Sequence, residues 1–209
     1  MVGMFNFSSL FKNLYFSIKY QLLDKWKFIY FEIDIRDYKS MSLINNGKQM
    51  NFRKADVSDI KNFKNNIYPY LKGYGNNDKK YLENPEANDV FICEKNNKII
   101  HYFLFFSDAK KSPIISTPIN NNLLDNYAYL GSAFTVPSER GTWIMAYSIS
   151  YILKYLKEKT QIKKILLIIH PSTPGAKQFF ERVGFNIMND CAPNGLFIWL
   201  INKVNFFAK

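Results

Sequence analysis

The chain has 209 residues, 47% of them hydrophobic and 17% aromatic, which is enough apolar material for one domain with a sizeable core and excludes a disordered chain. Its 28 lysines and arginines against 17 aspartates and glutamates give a net charge of +11, a field that favours anionic partners such as a phosphorylated cofactor, nucleic acid or acidic lipid. The two cysteines have no CxxC spacing, no zinc-finger or RNP signature is present, and no apolar run approaches the roughly 20 residues that span a bilayer, so a cytoplasmic protein with no nucleic-acid partner and no metal is expected.

Residues 4 to 27, MFNFSSLFKNLYFSIKYQLLDKWK, carry Phe7, Leu10, Phe11, Leu14, Tyr15, Ile18 and Leu22 at steps of three and four, the period of one helical face. Lys12, Lys19, Lys25 and Lys27 make this helix basic; it suits either packing on its own domain or peripheral contact with the inner face of a membrane through residues 1 to 27. FIYFEIDIRDY follows, where Phe31, Ile33 and Ile35 alternate with Glu32 and Asp34 as in a strand with one wet face. The Asn46-Gly47 turn marks a boundary between an N-terminal extension, residues 1–48, and a main domain, residues 49–209. The extension's strand is free to pair with the main sheet.

MNFRKA reads as a short strand and VSDIKNFKNNIYPYLKG as a helix, capped by Ser58 or Asp59 and closed by Gly73. DVFICE and KIIHYFLFF are strands joined through Lys95-Asn96-Asn97-Lys98, a hairpin signal. YAYLGSAFTV is the next strand, and Ile144, Tyr147, Tyr151, Ile152 and Tyr155 then recur at helical spacing. KKILLIIH is a continuous apolar run fit for a strand buried on both faces. A helix, TPGAKQFFERVGF, and two strands, FNIMND and GLFIWLIN, complete the order. The sum is an α/β domain with a mixed central sheet and helices on both faces. The two strands flanking the 142 to 158 helix should be parallel neighbours, with a ligand at their carboxyl ends.

Two motifs fall at those ends. Val136-Pro137-Ser138-Glu139-Arg140-Gly141 runs from strand into helix, and Thr173-Pro174-Gly175-Ala176-Lys177-Gln178-Phe179-Phe180-Glu181-Arg182-Val183-Gly184-Phe185 follows about 30 residues later. The first resembles the V-x-P-x-x-R-G pattern of the GNAT superfamily of acyl-CoA-dependent N-acetyltransferases; the second is similar to that family's N-x-x-A-x-x-x-Y-E-K-x-G-F run. The resemblance covers roughly residues 50 to 203. It implies the family's fold, acetyl-CoA as acyl donor, and direct attack by a primary amine of a small molecule, with an amino-sugar or sugar nucleotide as the leading acceptor.

A pyrophosphate needs backbone N–H groups converging at a helix N-terminus, where unsatisfied donors and the macrodipole favour negative charge. The amides of Arg140, Gly141, Thr142, Trp143, Ile144, Met145 and Ala146 are placed to supply them. The family's turn has glycine where Trp143 and Met145 stand here, so Trp143 should point off the phosphate side, against the core or the extension. Phe134, Thr135 and Val136 would flank the acyl group, with a backbone N–H near them for the oxyanion. Thr173, Ala176 and Phe180 would complete the cofactor wall, Thr173 replacing the family's Asn and Phe180 its frequent Tyr. Phe180 cannot donate a proton, so it is read as packing, and the thiolate of CoA leaves unaided.

His170, at the end of the second parallel strand, is the candidate general base, and Tyr129 is the second catalytic candidate. Tyr127 and Tyr129 are expected on one face of their strand and Ser132 on the other. Glu139 is read as a surface charge, His101 as a packed interior residue, and Cys191 has no paired histidine to activate it. The departures at Thr173, Phe180 and Trp143 leave a second reading open, a catalytically weak module docked to a membrane or partner enzyme by its basic helix.

Overall fold

A computed structural model describes residues 29–39, 50–71, 77–112, 126–169, 173 and 175–188. The basic helix expected over residues 1–27, the Asn46-Gly47 turn, Gly73, His170, Cys191 and the strand expected in GLFIWLIN lie outside the described residues.

Seven strands form one sheet: β1 (Ile29–Asp34), β2 (Met50–Lys54), β3 (Val90–Lys95), β4 (Lys98–Phe106), β5 (Tyr127–Thr135), β6 (Lys164–Ile169) and β7 (Asn186–Ile187). Their spatial order is β2-β3-β4-β5-β6-β1-β7, antiparallel throughout except for the parallel pair of β5 and β6. Among the described residues four α-helices accompany them: α1 (Ile60–Asn66), α2 (Lys79–Leu82), α3 (Ile144–Lys159) and α4 (Ala176–Val183).

The alternation in β1 is realised, since Phe31 and Ile33 are buried while Glu32 and Asp34 are half-buried. This strand is no appendage. It pairs with β6 from Ile29 opposite Ile169 to Asp34 opposite Lys164, and with β7 on its other side. The hairpin between β3 and β4 turns on Asn96 and Asn97, both at positive φ (51° and 60°), as a two-residue turn matched to strand twist requires.

The helix expected from Ser58 to Gly73 is shorter. A 3-10 turn at Val57–Asp59, capped by the Asp56 carboxylate on the Ser58 amide, leads into it; Asp59, one of the two expected caps, holds the N-cap position of the α-helix without a side-chain bond, and the α-helix stops at Asn66. Pro69 lacks an amide proton and its ring crowds the preceding turn, so the chain tightens into a 3-10 turn at Tyr68–Tyr70. Arg53 of β2 then ties this region down, donating from Nη1 and Nη2 to both Asp59 carboxylate oxygens at 2.7 Å and from Nε to Glu94 Oε2 at 3.0 Å.

The two sheet faces have different covers. α3 lays Ile149, Ile152, Leu153 and Leu156 against Phe91, Phe103, Phe105, Leu130 and Leu167, and α4 adds Phe180 and Val183 to the same core. On the opposite face α1 and α2 bury Phe63 and Leu82 against Ile92, Tyr102 and Leu104. At about 25 cal/mol per Å2 of apolar surface removed from water, these two cores are the dominant stabilising term of the fold. Among the described residues, no helix is long and apolar enough to cross a membrane.

Candidate active site

β5 and β6 begin as parallel neighbours, with Tyr127 opposite Lys164 and Leu130 opposite Leu167. Beyond that pair they part: β5 continues along β4 until Thr135 faces His101, while β6 continues along β1 until Ile169 faces Ile29. The parting opens a cavity of about 670 Å3 lined by Gly131, Ser132 and Ala133 of β5, Leu167, Ile168 and Ile169 of β6, and the starts of α3 and α4. It lies at the carboxyl ends of the parallel strands, where the sequence places it.

A bulge in β5 shapes one wall. Between the pairs Phe103–Ala133 and Phe105–Leu130, β5 spends one more residue than β4, so the inward and outward alternation changes phase at Gly131-Ser132. Tyr129 and Ser132 therefore both line the cavity, whereas unbroken alternation would put them on opposite faces. Gly131 suits the close approach here: a Cβ would lie 3.0 Å from Tyr129 Cε1 and 3.3 Å from the Leu104 carbonyl oxygen, so a larger residue would press on both.

The same ladder decides which amides are free. Val136 donates its N–H to the Ile100 carbonyl at 2.9 Å, so the Val136 amide cannot serve an oxyanion, contrary to expectation. By the two-residue period of a strand, Phe134 also points its N–H toward β4, and the amides of Ala133 and Thr135 face the cleft instead. The Phe134 side chain stacks between Tyr102 and Tyr70, with the Arg140 guanidinium 5.5 Å from its ring centre. Thr135 uses its hydroxyl on His101 Nδ1 at 2.8 Å and its carbonyl on Arg140 Nε at 3.1 Å. The side chains of Phe134, Thr135 and Val136 stay out of the cavity wall.

The turn into α3 has the form an anion needs. Pro137–Glu139 make a 3-10 turn, Gly141 takes φ +77°, and Thr142 donates its hydroxyl to the Glu139 carbonyl at 2.7 Å. Gly141 is there for its backbone, because nothing lies within 4 Å of where its Cβ would be. The first bond within α3 runs from the Tyr147 amide to the Trp143 carbonyl at 3.0 Å, and no side chain caps the helix. Among the described residues, the amides of Ile144, Met145 and Ala146, which begin this 16-residue helix, and those of Gly141, Thr142 and Trp143 have no acceptor. Arg140 drops out of the amide set, since its N–H reaches the Pro137 carbonyl at 3.4 Å.

Gly141, Thr142, Trp143, Met145, Ala146, Thr173, Ala176 and Phe180 all line the cavity, as the motifs imply. Ile144 contributes only its amide, its side chain being buried in the α1 and α2 core. Trp143 is 68% exposed at the cavity wall rather than packed on the core or the extension. The reason is angular: Ile144 takes the core-facing position, and the residue before it is turned about 100° away around the helix. Glu139 is not a free surface charge; its carboxylate takes Lys95 Nζ at 2.8 Å and fastens the turn to the β3–β4 hairpin. Phe180 packs on Phe31 and Phe185 with ring centres 5.8 and 5.6 Å apart.

Tyr129 is buried against the cavity, where desolvation and then the nearby Asp78 charge push its hydroxyl pKa up. It is a poor base and a good neutral hydrogen-bonding group. Tyr127 shares the Tyr129 face of β5, as expected, but lies outside the cavity, its hydroxyl donating to Glu32. His101 is wholly buried, and among the described residues its Nε2 has no hydrogen-bond partner.

One group was absent from the expectations. Asp78, immediately before α2, is 8% exposed and accepts from Tyr102 Oη at 2.7 Å, with the Ser132 hydroxyl nearby. Burial pushes its carboxyl pKa up, against the pull of those two hydroxyls. No motif surrounds Asp78 in the sequence; only the bulge brings Ser132 to it.

A family model for the GNAT acetyltransferases matches residues 57–185, more than half of the chain. The chain belongs to the GNAT acetyltransferase family. Solved structures share its fold: a conserved protein of unknown function from Staphylococcus epidermidis (TM-score 0.53, 10% identity, 77% of this chain and 57% of that one); the GCN5-related glucosamine N-acetyltransferase region of a fungal multi-domain GH3 β-N-acetylglucosaminidase (0.56, 14%, 87% and 22%); and a Drosophila protein (0.53, 10%, 77% and 47%). This chain spans between 22% and 57% of the length of those three. No curated protein matches it.

Proposed function

We propose that this GNAT protein transfers an acetyl group from acetyl-CoA to a primary amine of a small molecule by direct attack. The observation that carries this reading is the parting of β5 from β6 beside an uncapped α3 N-terminus. The residues present fit the donor: the amides of Gly141 to Ala146 would hold its pyrophosphate, and Thr173, Ala176 and Phe180 its pantetheine arm. Acetyl-CoA supplies a thioester carbonyl whose thiol leaves readily. The edge amides of Ala133 and Thr135 are the groups that would polarise that carbonyl.

The cleft opens to both sheet faces, with Met145, Ala146 and Ala176 on one and Tyr129 and Ser132 on the other. Donor and acceptor then enter from opposite sides and meet at the bulge, which converts a bimolecular reaction into a positioned one. His170, next in the chain after Ile169, stays a proposed base. Glucosamine, the acceptor named for the fungal region of similar fold, heads the panel of amines to try.

Calorimetry with acetyl-CoA, followed by thiol release across amino-sugars, sugar nucleotides and polyamines, tests the reading. Micromolar binding with amine-dependent thiol release is the expected result. Absence of binding at millimolar acetyl-CoA would overturn it.

A further inference from the structure

Among the described residues three large apolar side chains stand exposed, Val57, Tyr70 and Trp143, and Trp143 is the most exposed of them at 68%. A lone apolar residue on an open surface calls for no explanation. Trp143 differs by its place, because of the three it alone lines the cleft, between Thr142 and Met145 in the turn that carries the free amides.

The backbone aims its ring. Trp143 directly precedes α3 with φ −78° and ψ 7°, near the helical region, and no hydrogen bond caps the helix through its side chain. In such a conformation the Cα–Cβ bond leans toward the N-terminal end of the helix. The indole therefore projects outward past the amides, and its exposure shows that it does not fold back over them. Among the described residues it has no aromatic or cationic neighbour.

The length of the donor decides what reaches that ring. A thioester at the bulge sends its pantetheine arm out along Thr173, Ala176 and Phe180 and brings its pyrophosphate to the amides of Gly141 to Ala146. Only the nucleoside is left to place, and it leaves the turn on the solvent side, where Trp143 stands. Resting on the acyl-transfer reading above, we propose that the Trp143 indole stacks on the adenine of acetyl-CoA, and that this stack selects a nucleotide-bearing acyl thioester over one whose phosphopantetheine ends on a carrier protein.

The chemistry suits the pair. A purine presents a flat π face, an indole matches it with a broad one, and stacking of this kind needs no hydrogen-bond partner from the protein. Glycine at this position, as in the turn that this one resembles, would offer its amide alone. Trp143 offers the amide and a ring. A carrier-bound phosphopantetheine has a phosphate for the amides but no base for the indole, so it gains nothing from the substitution.

The test uses the full chain, the variants Trp143→Ala and Trp143→Phe, and three ligands: acetyl-CoA, acetyl-phosphopantetheine and the adenosine bisphosphate fragment of CoA. Because the side chain is exposed, folding should survive its removal, and circular dichroism checks this. By calorimetry, Trp143→Ala should bind acetyl-CoA and the adenosine fragment about tenfold more weakly or worse, the scale of a base stacked on an aromatic ring, and acetyl-phosphopantetheine within about twofold of wild type. Trp143→Phe should keep most of the affinity. The adenosine fragment should also quench tryptophan fluorescence in the wild type and not in Trp143→Phe, which separates Trp143 from Trp26 and Trp199. Should the alanine variant not fold, the quench decides, and its persistence in Trp143→Phe would overturn the stack. Equal acetyl-CoA affinity in wild type and a folded Trp143→Ala would overturn it too, as would an equal loss for acetyl-phosphopantetheine, which would set the ring against the pantetheine arm. A wild-type protein that binds none of the three ligands would overturn the acyl-transfer reading, and this role with it.

Discussion

His101 shows how one buried group shapes the pH response. Its ring sits between Phe103, 5.1 Å away edge to face, and the Thr135 hydroxyl, and burial pushes its pKa down to about 3. In the unfolded chain imidazole titrates near about 6.5, so between those values the unfolded state binds the extra proton. Stability from this residue is complete above about pH 6.5 and is lost as pH falls toward 3. Asp78 has the opposite sign, because its raised carboxyl pKa costs stability as pH rises and the group ionises. Urea midpoints should therefore drop between pH 7 and pH 5, and His101→Gln, which can still bond Thr135, should lose most of that slope. Equal slopes in the two proteins would show that His101 is not its source. The apolar run KIIHYFLFF already marks His101 as an interior residue, and the register that sets it opposite Thr135 gives its ring a hydrogen-bond partner.

At the scale of elements, the strand-to-helix turn was legible because its physics is local: Pro137 starts it, Gly141 takes the left-handed conformation, and the helical period begins at Ile144. The bulge was not, since Gly131-Ser132 in an apolar strand has no signature until β4 imposes its own count. That single extra residue moves Ser132 to the cavity wall beside Tyr129, which no reading of one strand at a time shows. Trp143 was misplaced for a related reason, because which residue takes the first core position of α3 depends on the packing of Ile144. The anion site itself can be tested by filling it from within. Thr142→Asp brings a carboxylate to the helix N-terminus, where it should strengthen α3 by about 0.5–1 kcal/mol and occupy the donors a phosphate would use. The expected outcome is an unchanged or higher Tm together with at least a tenfold loss of acetyl-CoA affinity by calorimetry. Retained affinity would mean that the amides of Gly141 to Ala146 do not hold the pyrophosphate.

At the scale of the whole molecule, the family match at residues 57–185 leaves out β1 and β2, yet β1 stands between β6 and β7. The strand's alternation was plain in the sequence, but its partner was not, because pairing across more than a hundred residues leaves no local trace. The consequence reaches the site. β7 is held in the sheet by β1, with Phe31 opposite Ile187, and Phe31 also packs on Phe180, which lines the cleft. Removing residues 1–38 would expose the edge of β6, strip Phe31, Ile33, Ile35 and Tyr38 from the main core, and leave α4 without its floor. Such a truncation should aggregate or unfold without cooperativity. Phe31→Ala is the milder probe: it should remain folded, lose about 3–5 kcal/mol in urea unfolding, and bind acetyl-CoA more weakly because Phe180 loses its support. A truncated chain that unfolds cooperatively and binds acetyl-CoA like the full chain would show that the sheet closes without β1, and that the support for α4 comes from elsewhere.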